Sequence, residues 1–409
     1  METKIIEFKN GLKLLYLAAP HTASTHIGYT INVGSRDDGN LPGTAHCFEH
    51  MLFKGTNKRK TLQIINRLEH VGGEMNAYTT KELTVVYASV VNQYALRALD
   101  LLTDITFFSI FPSKELEKEK RVITEEINMY LDTPEENIYD EFQEMVFKGH
   151  SLAPNILGNY DTLNQISSNH LNSFHKLYYQ PENVTLSISS ILPLNTFKLW
   201  IDNIIDTLPK SKNKIPKRTE FKKYKANQIT KETEHVQCHA ILGNVCYPQY
   251  HPKRFPLLLM NNILGGPGMN SRLTLSIREK HGYTYNVESG YSGFSETGLF
   301  HCYLSTDKVN LNKSVDLIYK ELKKLQEIKL SSNQLQQAIT QFKGQLVLAE
   351  ESRINLMLLL AKNLTQGYPI ETLSDVLHKI DQIKSEEIIE IANELFIPEK
   401  MSYLAYVSE

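Results

Sequence analysis

The chain has 409 residues, room for two or three domains of ordinary size, and 41% of them are apolar, which excludes wholesale disorder. Its 44 Lys and Arg against 46 Asp and Glu leave a net charge of −2, which argues against a nucleic-acid partner held by a broad basic surface. Four cysteines without a C-x-x-C pair fit a reduced setting; with no signal-peptide pattern and no apolar run near the ~20 residues of a membrane span, a cytoplasmic protein with no membrane partner is expected.

In chain order, a strand-like stretch from Ser24 to Val33 leads into a helix-like block that opens at Thr44. Asp37, Asp38 and Asn40 offer helix-start chemistry before it, and Gly55 is a natural stop. Leu62 to His70 is helix-like, Gly72-Gly73 breaks it, and Ala77 to Val91 is strand-like. Ser113 is a fitting N-cap for a helix whose apolar stripe is Leu116, Ile123, Ile127 and Tyr130. Leu208 to Lys225, with two prolines and many positive charges, has the composition of a solvated linker. It divides the chain into domains at 1–207 and 226–409, with 208–225 between them. Beyond it come strand-like His235 to Cys246, helix-like Pro252 to Leu264 and a Gly265-Gly-Pro-Gly268 loop. Helix-like Leu273 to Lys280, strand-like Tyr283 to Tyr291 and Gly298 to Ser305, and long amphipathic helices follow. The two halves repeat one order of elements. That predicts an α+β fold of two homologous domains, each an antiparallel sheet with helices packed on one side.

The chemistry concentrates in Gly43-Thr-Ala-His46-Cys-Phe-Glu49-His50-Met-Leu-Phe-Lys-Gly55. On a helix His46 and His50, four apart, share a face, and Glu49 projects near it. Ala45, Phe48 and Leu52 form a separate apolar stripe that can face a core. Two such histidines supply two legs of a zinc site, and the carboxylate is placed to take a proton from water. A third ligand is sought in the helix from Ser113, where Glu119 and Glu126 lie seven apart, two turns along one face. One of them could ligate while the other fixes a histidine or the water. Spacing does not choose between Glu125 and Glu126. His235-Val-Gln-Cys238-His239 imitates the histidine spacing, but it lies in a strand-like run with no third ligand in view.

These stretches make the chain recognisable. H-x-x-E-H is the inverted zinc signature of the inverzincins, and the text from Thr44 to Thr56 closely resembles the pitrilysin/insulinase family, nearest its two-domain branch of the mitochondrial-processing-peptidase type. The resemblance implies a zinc ligand at Glu126, beside His46 and His50, with Glu119 as an assisting acid and Glu49 as the base. Gly72 to Thr79 resembles the family's substrate-binding edge strand, which would put Asn76 and Ala77 nearest the cleaved bond through backbone pairing. Arg278 and Tyr285 resemble the family's Arg and Tyr pair, the tyrosine donating to the developing oxyanion. The resemblance therefore implies a zinc endopeptidase with one Zn2+ per chain, acting on peptides or unfolded polypeptide. Single-chain members carry four such domains around a chamber; a chain of two domains would form a homodimer. The alternative is a catalytically silent structural or regulatory subunit of the same fold.

Overall fold

The computed structural model describes residues 3–210 and 214–409; linker residues 211–213 lie outside them. The first half runs β1 (Thr3–Glu7), β2 (Lys13–Ala18), β3 (Ser24–Ile31), α1 (Thr44–Met51), α2 (Thr61–Glu69), β4 (Glu74–Thr79), β5 (Thr84–Val91), α3 (Ala95–Phe107), α4 (Ser113–Leu131), α5 (Pro134–Val146), α6 (Tyr160–Gln165), α7 (Ser168–Tyr178), β6 (Val184–Ser190) and α8 (Leu194–Ile204). The second runs β7 (Gln228–Thr233), β8 (Cys238–Cys246), α9 (Arg254–Gly265), β9 (Thr284–Gly293), β10 (Gly298–Thr306), α10 (Leu311–Glu327), α11 (Ser332–Glu350), α12 (Arg353–Thr365), α13 (Leu373–Asp381), α14 (Ser385–Leu395) and β11 (Ser402–Ser408). Among the described residues no helix is long and apolar enough to cross a membrane.

Two α+β units result, and their strand orders repeat. The first sheet is ordered β1-β2-β6-β3-β5-β4 and the second β7-β11-β8-β10-β9. Apart from the added β1, each strand of one sheet has a counterpart in the other. The pairings are antiparallel except β2 with β6 and β11 with β7, which are parallel and occupy equivalent places. Each sheet is thus mixed rather than wholly antiparallel. The parallel pair arises because the last strand of each unit returns through helices to lie inside the sheet, next to the unit's early strand.

The units also trade a segment. One comprises Met1–Ile127, Pro154–Arg218 and Glu350–Ile370; the other comprises Asn128–Ala153, Thr219–Ala349 and Glu371–Glu409. The division therefore departs from a plain split at the basic stretch. In the second unit, Ala240, Leu242, Phe300, Cys302, Leu304 and Ala405 face one core, with α9, α10 and α14. The residues between them, Ile241, Tyr303, Leu404 and Tyr406, face another, against Ile138, Phe142 and Val146 of α5. Successive strand residues point to opposite faces, so both faces of this sheet are dry. The first unit repeats the device: α3 packs on β3 and β5, while Met357, Leu360 and Ala361 of α12 cover Leu15 and Leu17. Helices therefore cover both faces of each sheet, not one side only.

Two local expectations change. Ala77 to Val91 is a hairpin, not one strand: Thr80 N–H donates to Leu83 O at 2.7 Å, and the Thr80 hydroxyl accepts from Leu83 N–H at 3.0 Å. A threonine side chain makes this turn without glycine or proline, so no punctuation marks it. The helix expected from Leu273 to Lys280 winds as a π-helix over Thr274–Glu279, with Lys280 N–H bonded to Leu275 O five residues back.

Candidate metal centre

Gly43, the N-cap of helix α1, adopts a left-handed conformation (φ 94°). A side chain there would be strained and would press on the Leu157 carbonyl. The Asp38 carboxylate accepts from the backbone N–H groups of Gly43 at 2.7 Å and Ala45 at 2.9 Å, partnering orphan donors of the helix start. Burial pushes the Asp38 carboxyl well above the usual range even though these bonds pull it down. Asp37 bonds instead to the Gly34 N–H and the Arg218 guanidinium. Ala45, Phe48 and Leu52 are fully buried, Phe48 lying against Phe111, Phe174 and Tyr179. With that stripe anchored, helical geometry turns the histidine face away from it.

Helix α4 brings Glu126 to that face. Its Oε2 lies 3.4 Å from His50 Nε2 and 3.6 Å from His46 Nε2. One ligating atom from each of the three side chains lies within 4.8 Å of the others. In a tetrahedral zinc site with bonds of about 2.1 Å, ligand atoms stand about 3.4 Å apart, so donor chemistry and spacing both fit zinc. Glu125, one residue away, is exposed, because neighbours on a helix point ~100° apart.

Burial, with the neighbouring His50, lowers the His46 imidazole to about 4 against the pull of Glu126. It is therefore neutral at pH 7, as a metal ligand must be. Burial acts likewise on His50, but the bonds and charge of Glu126 and Glu119 outweigh it and raise that imidazole. Glu126 is held low, first by its hydrogen bond with His50. Glu119 is buried, and its Oε2 is 3.3 Å from His50 Nδ1. His46 Nδ1 is buried with no hydrogen-bond partner among the described residues.

Glu49 stands beside this group. Its Oε2 accepts the Thr79 hydroxyl at 2.6 Å, and burial raises its carboxyl against that bond. A carboxyl lifted toward neutrality on the histidine face has the character of a general base. Thr79 ends β4, the end strand of its sheet, which pairs with β5; among the described residues no strand pairs with its other edge. On β4, Asn76 is exposed and Ala77 half-buried, and the Ala77 N–H bonds to Asn76 Oδ1 at 2.8 Å. His239, of the imitation motif, is instead a buried histidine bonded through Nδ1 to Tyr303 Oη at 2.9 Å.

Arg278 and Tyr285 belong to the second unit. The Arg278 guanidinium sits 5.0 Å from the centroid of the Tyr285 ring, a cation–π pair, and Tyr285 is 82% exposed. Both line a cavity of about 380 Å³ together with the Gly265-Gly266-Pro267-Gly268 loop. Gly265 has no room for a side chain, since a Cβ would meet Ser289 N on β9 at 2.4 Å. The structure thus gathers His46, His50, Glu126, Glu119 and Glu49 in one unit, and Arg278 with Tyr285 in the other. Two site neighbours carry no signal in spacing alone, the Thr79 hydroxyl on Glu49 and the Lys54 ammonium on Glu119.

An α+β protein of two repeated units, with two histidines and an acid converging beside a second acid, has the makings of a metallopeptidase. The chain belongs to the insulinase family, peptidase family M16. Residues 13–159 match the family described as "Insulinase (Peptidase family M16)", and residues 165–342 match "Peptidase M16 inactive domain". The uncharacterized zinc protease YmxG of Bacillus subtilis is 32% identical, over 95% of this chain and 94% of its own. An uncharacterized zinc protease of Rickettsia felis is 33% identical, over 96% and 94%. The fold matches a crystal structure of a peptidase M16 inactive domain from Pseudomonas fluorescens with a TM-score of 0.93, at 21% identity, over 100% of this chain and 98% of that one. A protease from Helicobacter pylori matches at 0.91 and 20%, over 99% of each chain.

Proposed function

We propose that this protein is a zinc-dependent endopeptidase that cleaves peptides or unfolded polypeptide segments, with one zinc per chain held by His46, His50 and Glu126. The observation that carries this reading is the convergence of two imidazole nitrogens and a carboxylate oxygen within 4.8 Å, with Glu49 beside them. Zinc bound there supplies a Lewis acid that brings the pKa of a water to ~7. Glu49, with Oε2 tied to Thr79, takes the water proton on Oε1 and returns it to the departing amine. A peptide strand adds to the open edge of β4, displacing the Asn76 side chain from the Ala77 N–H. Tyr285 donates to the oxyanion as it forms and Arg278 holds Tyr285 in place, a contribution of ~2.7–4 kcal/mol for such a donor. The active form in this proposal is a homodimer enclosing a chamber, which admits flexible chains and excludes folded ones.

The test is metal analysis combined with hydrolysis of an unstructured peptide. Glu49→Gln should lower turnover ~10²–10⁴-fold and keep its zinc, since the three ligands remain. His46→Ala should lose zinc and activity together. Near-full turnover by Glu49→Gln would show that Glu49 is not the base.

A further inference from the structure

We infer that Lys54 is a positioning residue of the metal centre, acting through Glu119 on His50. The inference rests on the zinc reading above and extends it to a residue outside the ligands and the base. The Lys54 ammonium lies 2.6 Å from Glu119 Oε1, and the other oxygen of that carboxylate, Oε2, lies 3.3 Å from His50 Nδ1. Each oxygen of Glu119 therefore has one task. Facing a cation, Glu119 can only accept, so it selects the His50 tautomer with the proton on Nδ1 and the lone pair on Nε2. Nε2 is the atom 3.4 Å from Glu126. Lys54 is thus the far end of a relay that aims one ligand.

The relay is built rather than incidental. The Lys54 backbone is fixed at both ends: its N–H donates to Met51 O at 3.2 Å, and its carbonyl accepts the Thr61 hydroxyl at 2.9 Å. Its side chain is 24% exposed and that of Glu119 9%, so this ion pair is shielded from solvent. A buried carboxylate without its cation would be costly and would look for another partner, disturbing the bond to His50. The second histidine has no such support, because His46 Nδ1 is buried and unpartnered among the described residues. Among the described residues, the hydrogen-bonded support of the ligand pair's Nδ1 atoms therefore enters through Glu119, with Lys54 behind it. His46 is held by packing.

The test measures zinc affinity by chelator competition on five full-length proteins: wild type, Lys54→Met, Lys54→Arg, Glu119→Ala and the Lys54→Met/Glu119→Ala double variant. Thermal unfolding of the metal-free proteins checks that each folds. Lys54→Met should weaken zinc about tenfold and Glu119→Ala ~10–100-fold. The double variant should match Glu119→Ala within about twofold, because Lys54 has nothing to act through once the carboxylate is gone. Lys54→Arg should stay within about threefold of wild type, since a guanidinium can serve the same carboxylate. If Lys54→Met fails to fold, Lys54→Gln takes its place with the same expectation. Wild-type affinity in the variant lacking the ammonium, or losses that multiply in the double variant, would overturn the inference. Failure of the zinc reading itself is distinguishable: His46→Ala would then bind zinc as well as wild type.

Discussion

Thr79 shows how one hydroxyl holds the carboxylate proposed as the base. It donates to the Glu49 carboxylate at 2.6 Å, and it comes from β4 rather than from the helix that carries Glu49. Thr79→Val keeps the shape and removes the donor. A hydrogen bond to a charged group is worth ~1.5–3 kcal/mol, so we expect turnover to fall about tenfold or more. Zinc content should be unchanged, since no ligand is touched. Steady-state kinetics with parallel metal analysis checks this; unaltered turnover would mean that Glu49 needs no such orientation.

The exchanged helices are where sheet and helix depend on each other. Helix α12 places Met357, fully buried, against Leu15 and Leu17, on the sheet face opposite α3. Met357→Ala should cost about 2–5 kcal/mol through lost burial and the cavity left behind. The effect belongs to the first unit. Amide protection in 13–18 and 184–190 should fall, while that in 238–246 and 298–306 should hold. Hydrogen exchange resolved by segment makes the comparison, and equal losses in both sheets would contradict a division into units of separate stability.

Acid should weaken both units through buried histidines that are not among the proposed metal ligands. His175 donates through Nε2 to the Thr106 carbonyl at 2.9 Å, and burial lowers its imidazole to about 4. His301 is lowered to about 4 by burial alone, its ring lying where a Cβ on Gly290 would be. For a base whose folded pKa is depressed, the unfolded chain binds the proton first. Stability is therefore complete above pH 6.5 and is lost as pH falls from there toward 4, at up to about 3 kcal/mol for each histidine. Urea unfolding at pH 7 and pH 4.5 measures the loss, and His175→Gln should reduce it. A second expectation follows from the proposed dimer. Its zinc centre would lie opposite Arg278 and Tyr285 of the other chain, so Glu49→Gln and Tyr285→Phe, inactive separately, should complement when mixed after dissociation. Random re-pairing makes half the dimers mixed, with one whole site in two, so activity should return to roughly a quarter of wild type. No recovery despite confirmed exchange would leave each site within one chain.

Local pattern carried a large part of this protein. The i, i+4 histidines, the acid between them and the apolar stripe of Ala45, Phe48 and Leu52 all follow from helical periodicity, which needs no knowledge of distant residues. The repeat was legible as an order of elements, since each sheet is assembled from the same succession. What pattern could not carry is whatever depends on residues far apart in the chain. Spacing left Glu125 and Glu126 equal; the packing of α4 against α1 turns one toward the histidines and leaves the other exposed. Helices α5 and α12 have apolar faces that fit any dry surface, so their sequence does not say which sheet they cover. The parallel pairs are likewise long-range, because a strand's composition does not name its neighbour. Lys54 and Thr79 reach Glu119 and Glu49 across 65 and 30 positions. Such contacts come from the closing of one element on another, a consequence of burying apolar surface over the whole chain rather than of any motif in it.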